Sequence, residues 1–220
     1  YKWSVGVEHY RQHLAQTGAY PGRGRIGLEK YLPCFPKPFP DDLVQGLVLP
    51  FVGAGFSRNA KVPPQKEMPD WDKLGRDIAE LIPGYKYTSA LDAISLFAFE
   101  YSRAELVEEL FKELLVGIAG PGEAHKAFTE LPFKLVCTTN FDFLLEEGYE
   151  HAKVFLWPVL DEDQLAINVN GNAVALLKLH GDLDHPGRMI ITEEDYDGFL
   201  ERYPLVATFL ANLLISKRCS

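Results

Sequence analysis

Two spacings of apolar residues alternate along this 220-residue chain. Short continuous runs at 47–52, 133–139 (FKLVCTT), 153–159 (KVFLWPV) and 176–179 (LLKL) stop at turn-forming or polar residues and read as buried strands. Pro50 weakens the first, because proline removes a ladder donor. Elsewhere apolar positions recur every three or four residues. Residues 89–102 and 102–120 read as helices, the second with Leu106, Leu110 and Leu114 on one face. Ser102 with Glu105 fits a capping box at its start, and Gly117 and the GPG at 120–122 fit its end. Residues 140–152 read as a turn into a helix. Asn170-Gly171 lies between two apolar runs and predicts a hairpin. Residues 188–203 read as a strand end and then a helix start, with Thr192 as N-cap and Asp195 three residues on. Residues 204–217 form a strongly apolar helix with Pro204 in its first turn.

Strands alternating with helices predict an α/β domain with a mainly parallel sheet, interrupted by a helical insertion at about 72–132. Residues 1–45 are rich in proline, glycine and aromatics and read as an N-terminal extension with a short helix at 4–16; the main domain occupies 46–220.

Composition changes this picture little. Hydrophobic residues make up 47% and charged residues 24%, which is globular. The net charge of -9 argues against direct binding of nucleic acid by this chain. The basic, aromatic strip at 20–40 fits either a loop packed on the main domain or a contact for a partner chain. Cys34, Cys137 and Cys219 are odd in number and far apart, so neither a disulfide scaffold nor a cysteine-built zinc site is expected, and the setting reads as a reducing cytoplasm. No run approaches the roughly 20 apolar residues needed to span a bilayer, and no secretory signal opens the chain. Residue 1 is Tyr1 rather than methionine, so the true start is expected to lie upstream.

In parallel sheets ligands bind outside the carboxyl ends of the strands, so three strand exits carry the candidate chemistry. The first is Gly53-Ala54-Gly55-Phe56-Ser57. Its glycines permit close backbone approach to a phosphate and its serine adds a hydroxyl. An ordinary tight turn fits it as well. The second is Thr138-Thr139-Asn140-Phe141-Asp142, where the amide and carboxylate are either helix caps or a pair that orients a water or a ribose hydroxyl. The third is His180-Gly181-Asp182, whose imidazole is either structural or a general base. The other histidines, His125 and His185 among them, read as surface or structural.

In their order and spacing, GAGFS (53–57), TTNFD (138–142) and KLHGD (178–182) resemble the three motifs of the sirtuin superfamily. PDW (69–71) and ITEEDY (191–196) resemble its prokaryotic branch found in antiviral defence systems, and the likeness runs from about 47 to 216. The resemblance implies a Rossmann-like domain with a helical insertion that binds NAD across the sheet crevice. It implies that Gly53, Ala54, Gly55 and Ser57 meet the phosphates and that Phe56 lines the pocket. Asn140 and His180 are then the catalytic pair, Asp142 lies towards the nicotinamide ribose, and Thr139 and Asp182 complete the NAD-binding set. The implied reaction splits the nicotinamide–ribose bond, giving nicotinamide and ADP-ribose or a cyclised form. NAD is substrate, and no metal is expected. Control of such an enzyme is expected from a regulatory partner protein or further domain, Argonaute-like in some relatives, or from a homo-oligomer.

Two departures stand out. The four-cysteine zinc module that follows the His-Gly motif in protein-deacetylating sirtuins has no counterpart after Gly181, which argues against an acyl-lysine substrate. The family also continues into a further strand near the adenosine, whereas this sequence stops at Ser220, so the adenosine side is expected to be incomplete. Three rivals remain: a zinc-less sirtuin-type deacylase, a non-catalytic NAD or ADP-ribose sensing module, and an ordinary NAD dehydrogenase. The last would require the full G-x-G-x-x-G, whose third glycine is lacking near Asn59.

Overall fold

The computed structural model describes residues 38–165 and 173–219. The helix expected at 4–16, most of the strip at 20–40 and the Asn170-Gly171 turn lie outside these residues.

Helix α1 (Phe39–Val44), opened by proline, leads into β1 (Val48–Leu49) and β2 (Phe51–Val52). The single strand expected at 47–52 is thus broken at Pro50, for the reason the proline suggested. Pro50 has no N–H to give, but its carbonyl still accepts from Cys137 N at 3.0 Å. The two halves pair with different partners: β1 with β6 (Arg218–Cys219), and β2 with β3 (Leu135–Thr138). The larger sheet runs β2-β3-β5-β4, with β4 at Leu156–Val159 and β5 at Val174–Lys178, and every pairing is parallel. Strand β5 lies between β3 and β4. Pro158 is tolerated in β4 because that strand lies at the sheet's edge.

Alternate residues of the central strands feed two cores. Val136 and Leu176 face Leu145 and Tyr149 of α7 (Leu144–His151). Cys137 and Leu177 face Val206 and Leu213 of the apolar helix Pro204–Ser216. A parallel sheet covered on both faces is the expected result of such continuous apolar runs. The chain is α/β, as its sequence predicts.

A third core belongs to the helices between β2 and β3. After the single turn α2 (Ala54–Ser57) come α3 (Trp71–Glu80), α4 (Ala90–Glu100), α5 (Arg103–Glu113) and α6 (Glu123–Thr129). Leu74, Ile78, Ile94, Phe97, Leu106 and Leu110 are buried there together with Leu183, Met189 and Ile191 from beyond β5. Gly75 lets α3 and α4 touch: a Cβ there would lie 2.3 Å from the Ala90 Cα. Ser102 caps α5 by accepting from Glu105 N at 3.1 Å. This helix stops at Glu113, earlier than the pattern to 120 suggests, because Leu115 turns to a positive φ of 49° and Gly117 to 74°.

Beyond β5 and α8 (Glu162–Leu165), which precedes it, the chain forms a 3-10 turn at Pro186–Arg188, then α9 (Glu193–Asp197), α10 (Phe199–Arg202) and α11 (Pro204–Ser216). The strand end expected around 188–191 is absent. Met189, Ile190 and Ile191 are buried as irregular chain instead, with Met189 and Ile191 packed on the helical core rather than on the sheet. Thr192 caps α9 with Asp195 as the reciprocal partner, as predicted. No helix among the described residues is long and apolar enough to cross a membrane.

Candidate active site

The exits of β2, β3 and β5 converge on one cleft of about 250 Å3. Its lining includes Ala54, Ser57, Thr139, Asn140, Asp142 and His180 from the three motifs. Parallel strands force this convergence, since their carboxyl ends lie on the same side of the sheet.

Asn140 is the pivot. Its Nδ2 donates to Ser57 Oγ at 2.8 Å and to Gly53 O at 3.2 Å. The Gly53 carbonyl can only accept, which fixes the amide's orientation. Ser57 in turn donates to Asp142 Oδ2 at 2.6 Å, and Asp142 Oδ1 accepts from Leu144 N at 3.1 Å. This leaves Asn140 Oδ1 buried without a partner, on a residue only 7% exposed. An orphan acceptor in a cleft wall is costly unless a ligand or water satisfies it. The single proton of Ser57 is committed to Asp142, so this serine here orients Asn140 rather than offering a donor outwards. Asp142 does act on the start of α7, whereas Asn140 is no helix cap.

His180 faces Asn140's cleft from the next strand exit. Its ring stands edge-on to Tyr196 at 5.4 Å and lies 6.1 Å from Phe141. Burial among these rings pushes its pKa below the ordinary histidine value, so the imidazole is neutral at pH 7 and able to accept a proton. Gly181 makes this placement feasible. It has a φ of +72°, and a Cβ on it would meet Arg188 O at 2.7 Å. Gly181→Ala is therefore expected to cost about 1–3 kcal/mol, read as a lower urea midpoint; an unchanged midpoint would contradict the strain.

Other candidates lie apart. Asp182 is not among the residues lining the cleft; its Oδ1 accepts from His185 N at 3.1 Å and lies 2.8 Å from His185 Nδ1, closing the turn after Gly181. Gly53, Gly55 and Phe56 line a second, more open hollow bounded by Phe51, Phe128 and Phe133. The Phe56 ring meets those of His125 and Phe128 there at a steep tilt, with centroids 4.6 Å and 5.3 Å away. Neither Gly53 nor Gly55 has a positive φ, and a Cβ on Gly55 would meet only open space. Among the described residues, no three His, Cys, Asp or Glu side chains gather as metal ligands.

Several cleft residues carried no assigned role in the sequence. Pro69, Asp70 and Trp71 of the PDW motif and Tyr196 of the ITEEDY motif all line it. Asp70 also caps α3, accepting from Lys73 N at 2.9 Å. The two short motifs thus meet across the same cavity. A polar or aromatic residue at the very start of a helix was the available signal, and by itself it marks a cap as readily as a site.

With the cleft so composed, residues 134–219 match the family described as SIR2-like domain. The chain is 29% identical over 171 residues to the NAD(+) hydrolase ThsA of Acinetobacter baumannii, covering 76% of this chain and 34% of that protein. It is 25% identical over 188 residues to the protein of the same name from Bacillus cereus, covering 83% and 38%. The one from Enterococcus faecium is 25% identical over 186 residues, covering 82% and 37%. This chain therefore spans little more than a third of the length of these relatives. The SIR2-like match begins just before β3 and takes in both the Asn140 and the His180 exits.

Proposed function

We propose that this chain hydrolyses NAD, releasing nicotinamide and ADP-ribose. The observation that carries the reading is the buried, unpartnered Asn140 Oδ1 in a cleft shared with a neutral His180. The names of the similar proteins, NAD(+) hydrolases, support the same substrate.

The chemistry needs little from the protein beyond position and charge. Nicotinamide leaves as a neutral base when the C1′–N bond breaks, taking the bonding electron pair that quenches its pyridinium charge. The ribose is left oxocarbenium-like, as in glycoside hydrolysis. Water adds at C1′ and gives up a proton. Asn140 Oδ1 accepts a hydrogen bond from that water or from a ribose hydroxyl, held in place by the Ser57–Asp142 chain. His180 takes the proton. Trp71, Phe141 and Tyr196 supply flat apolar walls that exclude bulk water. Asp142 contributes negative charge behind Asn140 rather than direct contact.

The NAD-binding unit is the stretch from about residue 46 onwards. The activity belongs to an effector of antiviral defence in a reducing cytoplasm, held silent until a partner protein, a further domain or self-assembly releases it. The exposed Leu205, Leu214 and Ile215 on α11 are compatible with such cover.

The test is nicotinamide release from NAD by purified protein beside His180→Ala. Release that depends on His180 supports the hydrolase. NAD or ADP-ribose binding without release under any condition would favour a sensing module instead. The pH dependence has a definite sign. His180 must be neutral to accept the proton, and its pKa is depressed below 6.5 by burial. Release is therefore expected to hold level from pH 7.5 down to about 6.5 and to fall only at lower pH. An acid limb centred at or above 6.5 would contradict the assignment.

A further inference from the structure

The strongest unexplained feature beside the cleft is a lysine with no access to solvent. Lys178, the last residue of β5, is 1% exposed. Its Nζ donates to Asp142 O at 2.9 Å and to Glu146 Oε1 at 2.5 Å, and lies 4.7 Å above the Phe143 ring. Both oxygen partners and the ring belong to the segment that leaves β3 and enters α7. Lys178 itself stands two residues before His180. One side chain thus reaches from the exit that carries the histidine into the turn that carries the asparagine.

Burying an ammonium is expensive, and an apolar pair of similar size would commonly serve stability as well or better. The position of the contact suggests why a charge is used. The Asp142 carbonyl sits just before the N-cap residue Phe143. A lysine Nζ arriving from the neighbouring strand supplies it with a strong, directed donor. That bond fixes the peptide two residues after Asn140, on the same residue whose carboxylate holds Ser57.

We propose that Lys178 is a positioning residue for the cleft: its buried ammonium, anchored by Glu146, holds the 140–143 turn in the shape that aims Asn140 Oδ1 into the cavity. The proposal rests on the hydrolase reading for its kinetic consequence, but not for its structural one.

The experiment replaces the pair by Lys178→Met together with Glu146→Leu, which removes both charges and keeps the volume apolar. The thermal midpoint is expected to stay close to wild type, while kcat for nicotinamide release falls by about 10²-fold with KM little changed, the scale for a misplaced catalytic group. The Asn140 side-chain amide resonance is expected to shift or broaden. Native kcat in a stably folded double variant, or an unmoved amide resonance, would overturn the proposal. Should the double variant not fold, Glu146→Gln keeps an acceptor oxygen but loosens the anchor. It is expected to lower kcat about tenfold, and native kcat there would equally overturn the proposal. If the wild-type protein releases no nicotinamide under any condition, the hydrolase reading fails, and the amide resonance still decides the role of Lys178.

Discussion

Nicotinamide release by an Asn140→Ala protein is expected to fall by about 10²–10³-fold, with KM for NAD little altered. The magnitude is that of removing one preorganised polar group aimed at a reacting centre. The direction follows from what Asn140 does in the folded chain. Its Nδ2 is spent inside the protein, on Gly53 O and Ser57 Oγ, so the group offered to a ligand is Oδ1 alone. An acceptor that is buried and already oriented costs no reorganisation when the water or ribose hydroxyl becomes more acidic in the transition state. Such an interaction strengthens as the reaction proceeds and therefore appears in kcat. The variant is expected to fold, because Ser57 keeps Asp142 as its acceptor while the Gly53 carbonyl and the Ser57 hydroxyl each lose one donor. A rate within threefold of wild type, measured by chromatography of the released base, would remove Asn140 from the mechanism.

The largest effect on stability is expected at Asp195, which is not among the residues lining the cleft. Its Oδ2 accepts from Arg103 Nη1 at 2.9 Å, Thr192 Oγ1 at 2.9 Å, Thr192 N at 3.0 Å and Ile191 N at 3.2 Å. Its Oδ1 accepts from Arg202 Nη1 at 3.1 Å. Arg103 goes on to donate to Pro186 O at 2.8 Å and Met189 O at 2.6 Å. The start of α5 is thereby tied to the irregular segment that wraps the Gly181 turn. Asp195→Ala would take the carboxylate from two guanidiniums, Arg103 and Arg202, and the acceptor from a hydroxyl and two backbone N–H groups at once. Breaking a buried ionic network of this kind costs about 3–5 kcal/mol, or roughly 6–20 °C in Tm for a chain of this size. Burial alone would push the Asp195 carboxyl up, but the bonds from Thr192, Arg103 and Ile191 outweigh it and hold the pKa below the ordinary carboxylate value. A depressed folded value means that the stabilisation is full above the unfolded carboxylate range near 4 and is lost as the pH falls through the folded value. Asp195→Asn should therefore lose most stability at neutral pH and approach wild type in acid. Parallel pH–stability curves for the two proteins would contradict this.

The central strands were legible because each is a short apolar run with a turn residue behind it. The same pattern placed Asn140 and His180 at strand exits, and a parallel sheet brings such exits together. What stayed hidden depends on contacts between segments distant in sequence. Leu74 and Ile78 in α3 have helical spacing, yet only the fold shows Gly75 letting α4 in. Met189–Ile191 have strand-like composition, but Met189 and Ile191 find the helical core and the segment forms no strand. Lys178 sits within an apolar run and gives no sign of its partners, because Asp142 and Glu146 lie on another strand's exit. Ser57 reads as a phosphate donor in the sequence, whereas in the fold its hydroxyl donates to Asp142 Oδ2.

In the proposed reaction the cleft between Asn140 and His180 receives the nicotinamide ribose of NAD. A crystal structure of the His180→Ala protein with NAD tests it most directly. The account predicts an intact dinucleotide whose ribose hydroxyl, or a water beside C1′, lies within hydrogen-bonding distance of Asn140 Oδ1. A dinucleotide bound elsewhere, with Asn140 Oδ1 still unpartnered, would contradict it.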